Sequence, residues 1–388
     1  MNSIGAAASG CAAGITRNQG QVLADDGLGF YGLADGVRGH PAGGRAAALS
    51  LEVARRTVAD VLSVGRPASA ETALDVLHQA VQAASAAVFA AGIAQPDERG
   101  MSTTLTLLWV LDSHAHIAHV GHSAVQMSRL GRLHRLTRDH TVAQELVALG
   151  MIQPAQAVGH PMARVLTRAI GMQEAVVPDS LSVELVPGDR FLLTAAGTPE
   201  TSSPVATAAR AAELARALVA DTLAGPEREW ANALVVDVLA DAYAASGDAL
   251  AKLEVLGGMF LFKDLDMSEL SRVLECAVVR QVDAGATLIQ EGSQDRSLYL
   301  ILDGELEVIR NGVVLAPIGK GGHVGEMALV SGEPRSASVR AARPTRFLEI
   351  GQAHWNGLLH RAPAIGVKLL TAMAEEFTRR LVRMNERV

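Results

Sequence analysis

Along residues 115–137, AHIAHVGHSAVQMSRLGRLHRLT, apolar and polar positions alternate up to Val120. They break at Gly121-His122-Ser123, alternate again and break at Gly131. A two-residue period predicts half-buried strands, and glycine-centred breaks predict tight turns. The stretch therefore reads as antiparallel strands with His122 on a hairpin turn. The rest of the first 243 residues mixes two periods. Phe30–Ala34, Thr104–Leu111, Ile117–Val120, Val125–Leu130, Phe191–Thr194 and Ala233–Leu239 read as strands. Arg45–Val64 and Ala70–Gly92 carry Ala, Leu and Val at helical spacing. Strands bunched between and after helix pairs predict an α+β layered domain, not repeated βαβ units.

Periodicity is lost at Ala244-Ala245-Ser246-Gly247-Asp248, which predicts a linker over 244–253 between domains at 1–243 and 254–388. Beyond it, Asp266-Met267-Ser268-Glu269 places an N-cap residue three positions before an acid, and Leu270, Val273 and Leu274 follow at helical spacing. Short strands punctuated by Gly285, Gly292, Gly304, Gly312, Gly319 and Gly325 predict a small β-barrel or roll. A long closing helix begins near Pro363, with Leu369, Met373, Phe377 and Leu381 as a stripe suited to an apolar partner, such as a second copy.

Composition narrows the class. Of 388 residues, 49% are hydrophobic and 19% charged, as in ordinary globular proteins, and only 3% are aromatic, so the cores must be built from Ala, Val and Leu. A net charge of −7 argues against a nucleic-acid partner, which needs a dense basic face. The two cysteines, Cys11 and Cys276, have no metal-binding spacing and read as free thiols of a reducing cytoplasm. The uncharged run from Gln79 to Pro96 is Ala-dominated and too weak for a membrane span, and no secretory leader is read at the N-terminus.

The most informative motif of the second half is VGEMALVSGEPRSASVRA, residues 324–341. A helical turn opened by Gly325 and running through Glu326, Met327, Ala328 and Leu329 presents unpaired backbone N–H groups to an anion. Arg335 can close over the same anion with a planar fork. Glu326, acceptor-only when ionised, suits a sugar hydroxyl. Together these describe a pocket for one phosphate joined to one ribose. The stretch resembles the phosphate-binding cassette of the cyclic nucleotide-binding domain family, and the resemblance runs from about 254 to 380, including Glu291-Gly292 and Leu302-Asp303-Gly304. It implies that Glu326 takes the ribose 2′-hydroxyl and Arg335 the cyclic phosphate. Ser336 beside the arginine leans the ligand toward cAMP over cGMP. No helix-turn-helix follows, so the readout is expected in the first half or in a partner.

Eight fragments of the first half, in order, resemble the metal-dependent type 2C (PPM-type) protein phosphatases. They are Asn18-Gln19-Gly20, Ala34-Asp35-Gly36-Val37-Arg38-Gly39-His40, Met101-Ser102-Thr103-Thr104-Leu105, His119-Val120-Gly121-His122-Ser123, Leu136-Thr137-Arg138-Asp139-His140, Pro187-Gly188-Asp189-Arg190-Phe191-Leu192-Leu193, Ala195-Ala196-Gly197 and Ala231-Asn232. The resemblance implies an α-β-β-α sandwich of two antiparallel sheets. That family holds two Mn²⁺ or Mg²⁺ ions with aspartates, and hard dications want carboxylate oxygen. At the matching places stand Gly20, Asp35, His122, Ala196 and Ala231, so only Asp35 remains, and the family's phosphate-binding arginine falls on Ile15. One carboxylate and a neutral imidazole cannot hold two dications against their repulsion. Bound Mn²⁺ or Mg²⁺ is not expected, no catalytic residue is assigned, and the domain reads as a pseudophosphatase. Its partner is expected to be a Ser/Thr kinase or a phosphoprotein.

Other readings stay open. His114, His116, His119 and His122 with Asp35 could form a transition-metal site, although strand alternation turns His119 away. Asp139, Asp189 or Glu200 could serve as replacement ligands in an active phosphatase. Met101, Met151 and Met162 are expected to fill core gaps, and Arg129, Arg132, Arg135 and Arg138 to form a solvated face. The terminal Arg379, Arg380, Arg383 and Arg387 suit the negative end of a helix.

Overall fold

The structure is a computed structural model that describes residues 3–12, 18–196, 198, 210–224, 229–239, 247–326 and 333–385. The chain divides into two compact units, Met1–Ser246 and Gly247–Val388.

In the first unit the strands are β1 (Ser3–Cys11), β2 (Gly20–Asp25), β3 (Phe30–Asp35), β4 (Leu105–Leu111) and β5 (His114–Val120). They continue with β6 (Ala124–Arg129), β7 (Arg132–Arg135), β8 (Asp179–Glu184), β9 (Arg190–Thr194) and β10 (Trp230–Val238). The helices are α1 (Gly43–Val64), α2 (Ala70–Ala94), α3 (Val142–Ala148), α4 (Pro154–Ala157) and α5 (Ala211–Ala224). One antiparallel sheet has the order β1-β10-β9-β6-β7, the other β2-β3-β4-β5-β8. Helices α1 and α2 cover the second sheet through Ala46, Leu51, Ala54, Leu77, Ala80, Val81 and Val88, and α5 covers the first through Leu214, Ala215 and Leu218. This is the α+β layered arrangement expected.

Local chemistry explains the elements. β3 and β4 are buried along their whole length, so they read as continuous apolar runs and not as alternating ones. Helix α2 starts in a reciprocal capping box between Ser69 and Thr72. It is long and apolar enough to cross a membrane by length and composition, but its Ala73, Leu77, Ala80 and Ala84 are spent in the core.

The second unit contains α6 (Gly247–Gly258), α7 (Met267–Glu275), α8 (Gln352–Arg361) and α9 (Pro363–Asn385). Its strands are β11 (Val278–Val282), β12 (Thr287–Ile289), β13 (Leu298–Arg310), β14 (Val313–Gly319), β15 (His323–Val324) and β16 (Ser338–Ile350). They form one antiparallel sheet of order β11-β16-β13-β14, with β12 on β16 and β15 on β13. Register shifts along β13 and β16, at Ile301/Asp303 and Glu305/Leu306, bend the two long strands. One core lies between the strands (Tyr299, Ile301, Leu306, Val324, Val339, Phe347) and another between sheet and helices (Leu256, Phe262, Leu300, Trp355, Leu369, Met373). The Asp266/Glu269 capping box is present, and Pro363 opens α9.

Several expectations require correction. Gly121-His122-Ser123 is not a hairpin turn. Both edges of β5 are taken by β4 and β8, so the chain crosses at these residues to the other sheet, where β6 pairs with β9 and β7. Residues 247–253, expected to be linker, are the start of α6, because Leu250 to Leu256 resumes helical spacing once Gly247 is passed. Of the basic run, Arg129 is buried and forks onto Asp189, with Nε–Oδ1 2.8 Å and Nη2–Oδ2 2.5 Å. Met101 fills the core, but Met151 is 68% and Met162 45% exposed. Leu369 and Met373 of the α9 stripe pack within their own unit, and the side chains of Phe377 and Leu381 lie outside the described residues.

Candidate functional site

Asp35 closes β3 and is 6% exposed. Its backbone N–H donates to Thr104 Oγ1 at 3.0 Å. Its carboxylate accepts from Asn232 Nδ2 at 2.9 Å and from Ser123 Oγ at 3.4 Å, and Ser123 is also 3.1 Å from Thr104 Oγ1. Asn232 is held in turn by Asn18, whose Nδ2 donates to Asn232 Oδ1 at 2.8 Å, and Asn18 Oδ1 accepts from the Gly20 N–H at 2.8 Å. A β-carbon on Gly20 would lie 1.8 Å from Asn232 Nδ2 and 2.3 Å from Asp35 Oδ1. The Asn232 amide therefore fills the space into which a side chain at position 20 would project. Burial pushes the Asp35 carboxyl up to about 6, and the Asn232 and Ser123 donors, with the Arg38 charge, only partly offset it.

This donor set does not suit a pair of dications. Hard cations need several oxygen acceptors, and here an amide N–H and a hydroxyl O–H point at the single carboxylate. Among the described residues no three of His, Cys, Asp and Glu come together in a way that could hold a metal ion. Asp189 is committed to Arg129 at the end of β6 remote from Ser123, and Asp139 pairs with Arg135 at 2.5 Å. Ala196 and Ala231 bring no charge, and Glu200 and Ile15 lie outside the described residues.

The histidines serve separate purposes. His116 Nδ1 is 2.5 Å from Ser182 Oγ, and its ring lies beside Trp109. His119 bonds Thr106 Oγ1 at 2.9 Å and the Gly121 carbonyl at 3.0 Å. Burial drives both imidazoles down to about 3, so they stay neutral. His140 accepts from the Gly121 N–H at 3.1 Å and faces Asp179 at 3.3 Å. These bonds fix the crossover at Gly121. Its φ of +113° suits glycine, and an added β-carbon would strike Thr104 at 2.6 Å. His122 is half-buried on that crossover, next to Ser123.

In the second unit Arg335 is 5% exposed. Its Nη2 donates to Asp295 Oδ2 at 2.7 Å and to the Ser297 carbonyl at 2.6 Å, and its Nη1 donates to the Gly325 carbonyl at 3.2 Å. The Tyr299 ring lies 5.9 Å from the guanidinium carbon, and the Tyr299 hydroxyl donates to Asp295 at 3.0 Å. Arg335 Nε is buried with no acceptor among the described residues. Gly325 has φ +94°, and a β-carbon there would meet the Ser297 carbonyl at 2.4 Å, so only glycine brings this backbone against the arginine. Glu326, half-buried, follows Gly325; Met327 and Ala328 lie outside the described residues, and Ser336 is exposed next to Arg335. The motif located Gly325, Glu326 and Arg335. It missed Asp295, Ser297 and Tyr299, which lie some forty residues upstream and meet Arg335 only in the fold.

Residues 18–167 match the family described as protein phosphatase 2C, and residues 279–362 match the cyclic nucleotide-binding domain. The chain thus carries a 2C-type phosphatase domain followed by a cyclic nucleotide-binding domain. The protein phosphatase PhpP of Streptococcus pneumoniae is 38% identical over 99 residues, which is 26% of this chain and 40% of that protein. The serine/threonine protein phosphatase PstP of Mycobacterium tuberculosis is 31% identical over 244 residues, 61% of this chain and 46% of that protein. The chain therefore spans less than half the length of either relative. The crystal structure of the M. tuberculosis phosphatase PstP/Ppp gives a TM-score of 0.55 at 28% identity, covering 62% of this chain and 100% of that one. The PstP catalytic domain in complex with two manganese ions gives 0.52 at 28% identity, covering 61% and 99%.

Proposed function

We propose that this protein is a cytoplasmic cyclic-nucleotide sensor whose phosphatase-type unit is a pseudophosphatase. A cyclic nucleotide, cAMP in preference to cGMP, enters the second unit. Arg335 grips its phosphate, Glu326 its ribose 2′-hydroxyl, and α9 adjusts over the base. The first unit then presents itself differently to a Ser/Thr kinase or a phosphoprotein, and α9 can also join two copies. The buried Nε–H of Arg335 supports the pocket, because a phosphate oxygen would supply its missing acceptor.

One observation carries the pseudophosphatase reading: the Asn232 amide lies against Asp35 in the space beside Gly20. The metal pair of the related enzymes needs several carboxylates there. Assays of the full chain with Mn²⁺ or Mg²⁺ on a phosphoserine peptide, with and without cAMP, should show no sustained hydrolysis, while cAMP should raise the melting temperature by mass action.

A second reading, a cyclic-nucleotide-regulated metal-dependent Ser/Thr phosphatase, is favoured by the 31% identity to PstP over 244 residues. Sustained turnover that disappears in Asp35→Ala would establish it and retire the first.

A further inference from the structure

Arg335 already holds a carboxylate. Asp295 Oδ2 lies 2.7 Å from its Nη2, while the guanidinium is buried and the Asp295 side chain is 42% exposed. Nε and Nη2 form the side-on edge of a guanidinium, the edge that meets two phosphate oxygens at once. On that edge Nε has no acceptor among the described residues, and Nη2 is committed to Asp295 and the Ser297 carbonyl. Nε is itself buried, so a phosphodiester gains this edge only where the half-exposed Asp295 gives way and releases Nη2. Two anions cannot share that edge without repulsion.

We propose that Asp295 is an internal competitor for the nucleotide phosphate, latching Arg335 in the ligand-free protein and setting the affinity of the pocket. The inference rests on the reading of this unit as a cyclic nucleotide pocket. Two hydroxyls aim the latch, Tyr299 on Oδ2 at 3.0 Å and Ser297 on Oδ1 at 3.2 Å, the single Ser297 proton being shared with Glu349 at 3.2 Å. Half-exposure makes the pair reversible, since water can resolvate Asp295 once the phosphate has replaced it. A closed latch lowers apparent affinity by the fraction of molecules in which it is open.

Calorimetric titration of the full chain with cAMP and with cGMP tests this in wild type, Asp295→Asn, Tyr299→Phe and Arg335→Ala. Asp295→Asn keeps the shape, removes the competing charge, and should bind about tenfold tighter. Tyr299→Phe loosens the latch without touching the arginine and should bind about twofold tighter. Without nucleotide, Asp295→Asn should melt below wild type, because the buried guanidinium loses its counter-charge. If wild type binds and Asp295→Asn binds equally or more weakly, the latch is wrong and the pocket stands. If no variant binds either nucleotide, the pocket reading falls and the latch with it. Binding by Asp295→Asn alone would support both.

Discussion

Asp35 in the first unit and Arg335 in the second are both buried charged side chains, and the two are wrapped in opposite ways. Around Asp35 the partners are neutral donors, the Asn232 amide and the Ser123 hydroxyl, fixed in turn by Asn18 and Thr104. Around Arg335 the partners are two carbonyls and a half-exposed carboxylate, and Nε has no acceptor among the described residues. The first wrapping aims one donor at each carboxylate oxygen and puts an amide where a side chain at position 20 would project. The second holds the cation with a group that water can reclaim.

The largest expected effect lies on the arginine side. Arg335→Ala should weaken cAMP binding by about 100-fold in calorimetry, since a charge-assisted bidentate contact is lost outright. Unchanged affinity would remove the phosphate site from this pocket. On the aspartate side, Gly20→Asp forces a side chain into the Asn232 amide and sets a carboxylate beside Asp35. In chelator it should cost about 3 kcal/mol in urea unfolding, by overpacking and like-charge repulsion. Wild-type stability there would mean that Asn232 yields freely and plugs nothing. Gly325→Ala should cost about 2 kcal/mol, because a β-carbon meets the Ser297 carbonyl at a positive φ. It should also weaken cAMP binding by displacing Arg335.

The pH-dependent effect is the most diagnostic for Asp35. Its carboxyl is raised from the ordinary carboxylate value to about 6 in the fold. A raised acid binds its proton more tightly when folded than unfolded, so the stability it brings is full at low pH and is lost as pH rises through about 6. Asp35→Asn, which keeps the Asn232 bond and lets the Ser123 hydroxyl turn to accept, should therefore unfold later than wild type. The gain is about 2 kcal/mol at pH 7 and vanishes near pH 4. A metal-bound aspartate would show the opposite sign in metal, with its removal destabilising.

Much of this was legible in the chain. The capping box at Asp266, the helix opened by Pro363, the apolar runs of β3 and β4, and the cassette around Arg335 are local signals, set by neighbours within a few residues. Failures came where a distant partner decides. The two-residue period marks β5 and β6 as strands but carries no information on which sheet receives them, so it predicts a hairpin at His122 where the chain changes sheets. The three-residue spacing of arginines hid the burial of Arg129, which depends on Asp189, sixty residues on. Asp295 gave no sign of its bond to Arg335, forty residues away. That positions 20, 196 and 231 carry no carboxylate was readable, but the Asn232 amide lying against Asp35 was not, because it needs β10 beside β2 in space.

The decisive measurement is the thermal unfolding of the full chain at pH 7 across a titration of Mn²⁺ and of Mg²⁺, run in parallel on Asp35→Asn. The account predicts no metal-dependent rise in either protein, with the variant melting higher than wild type at every metal concentration. A saturable rise in wild type that Asp35→Asn abolishes would contradict it, and would identify Asp35 as a working metal ligand.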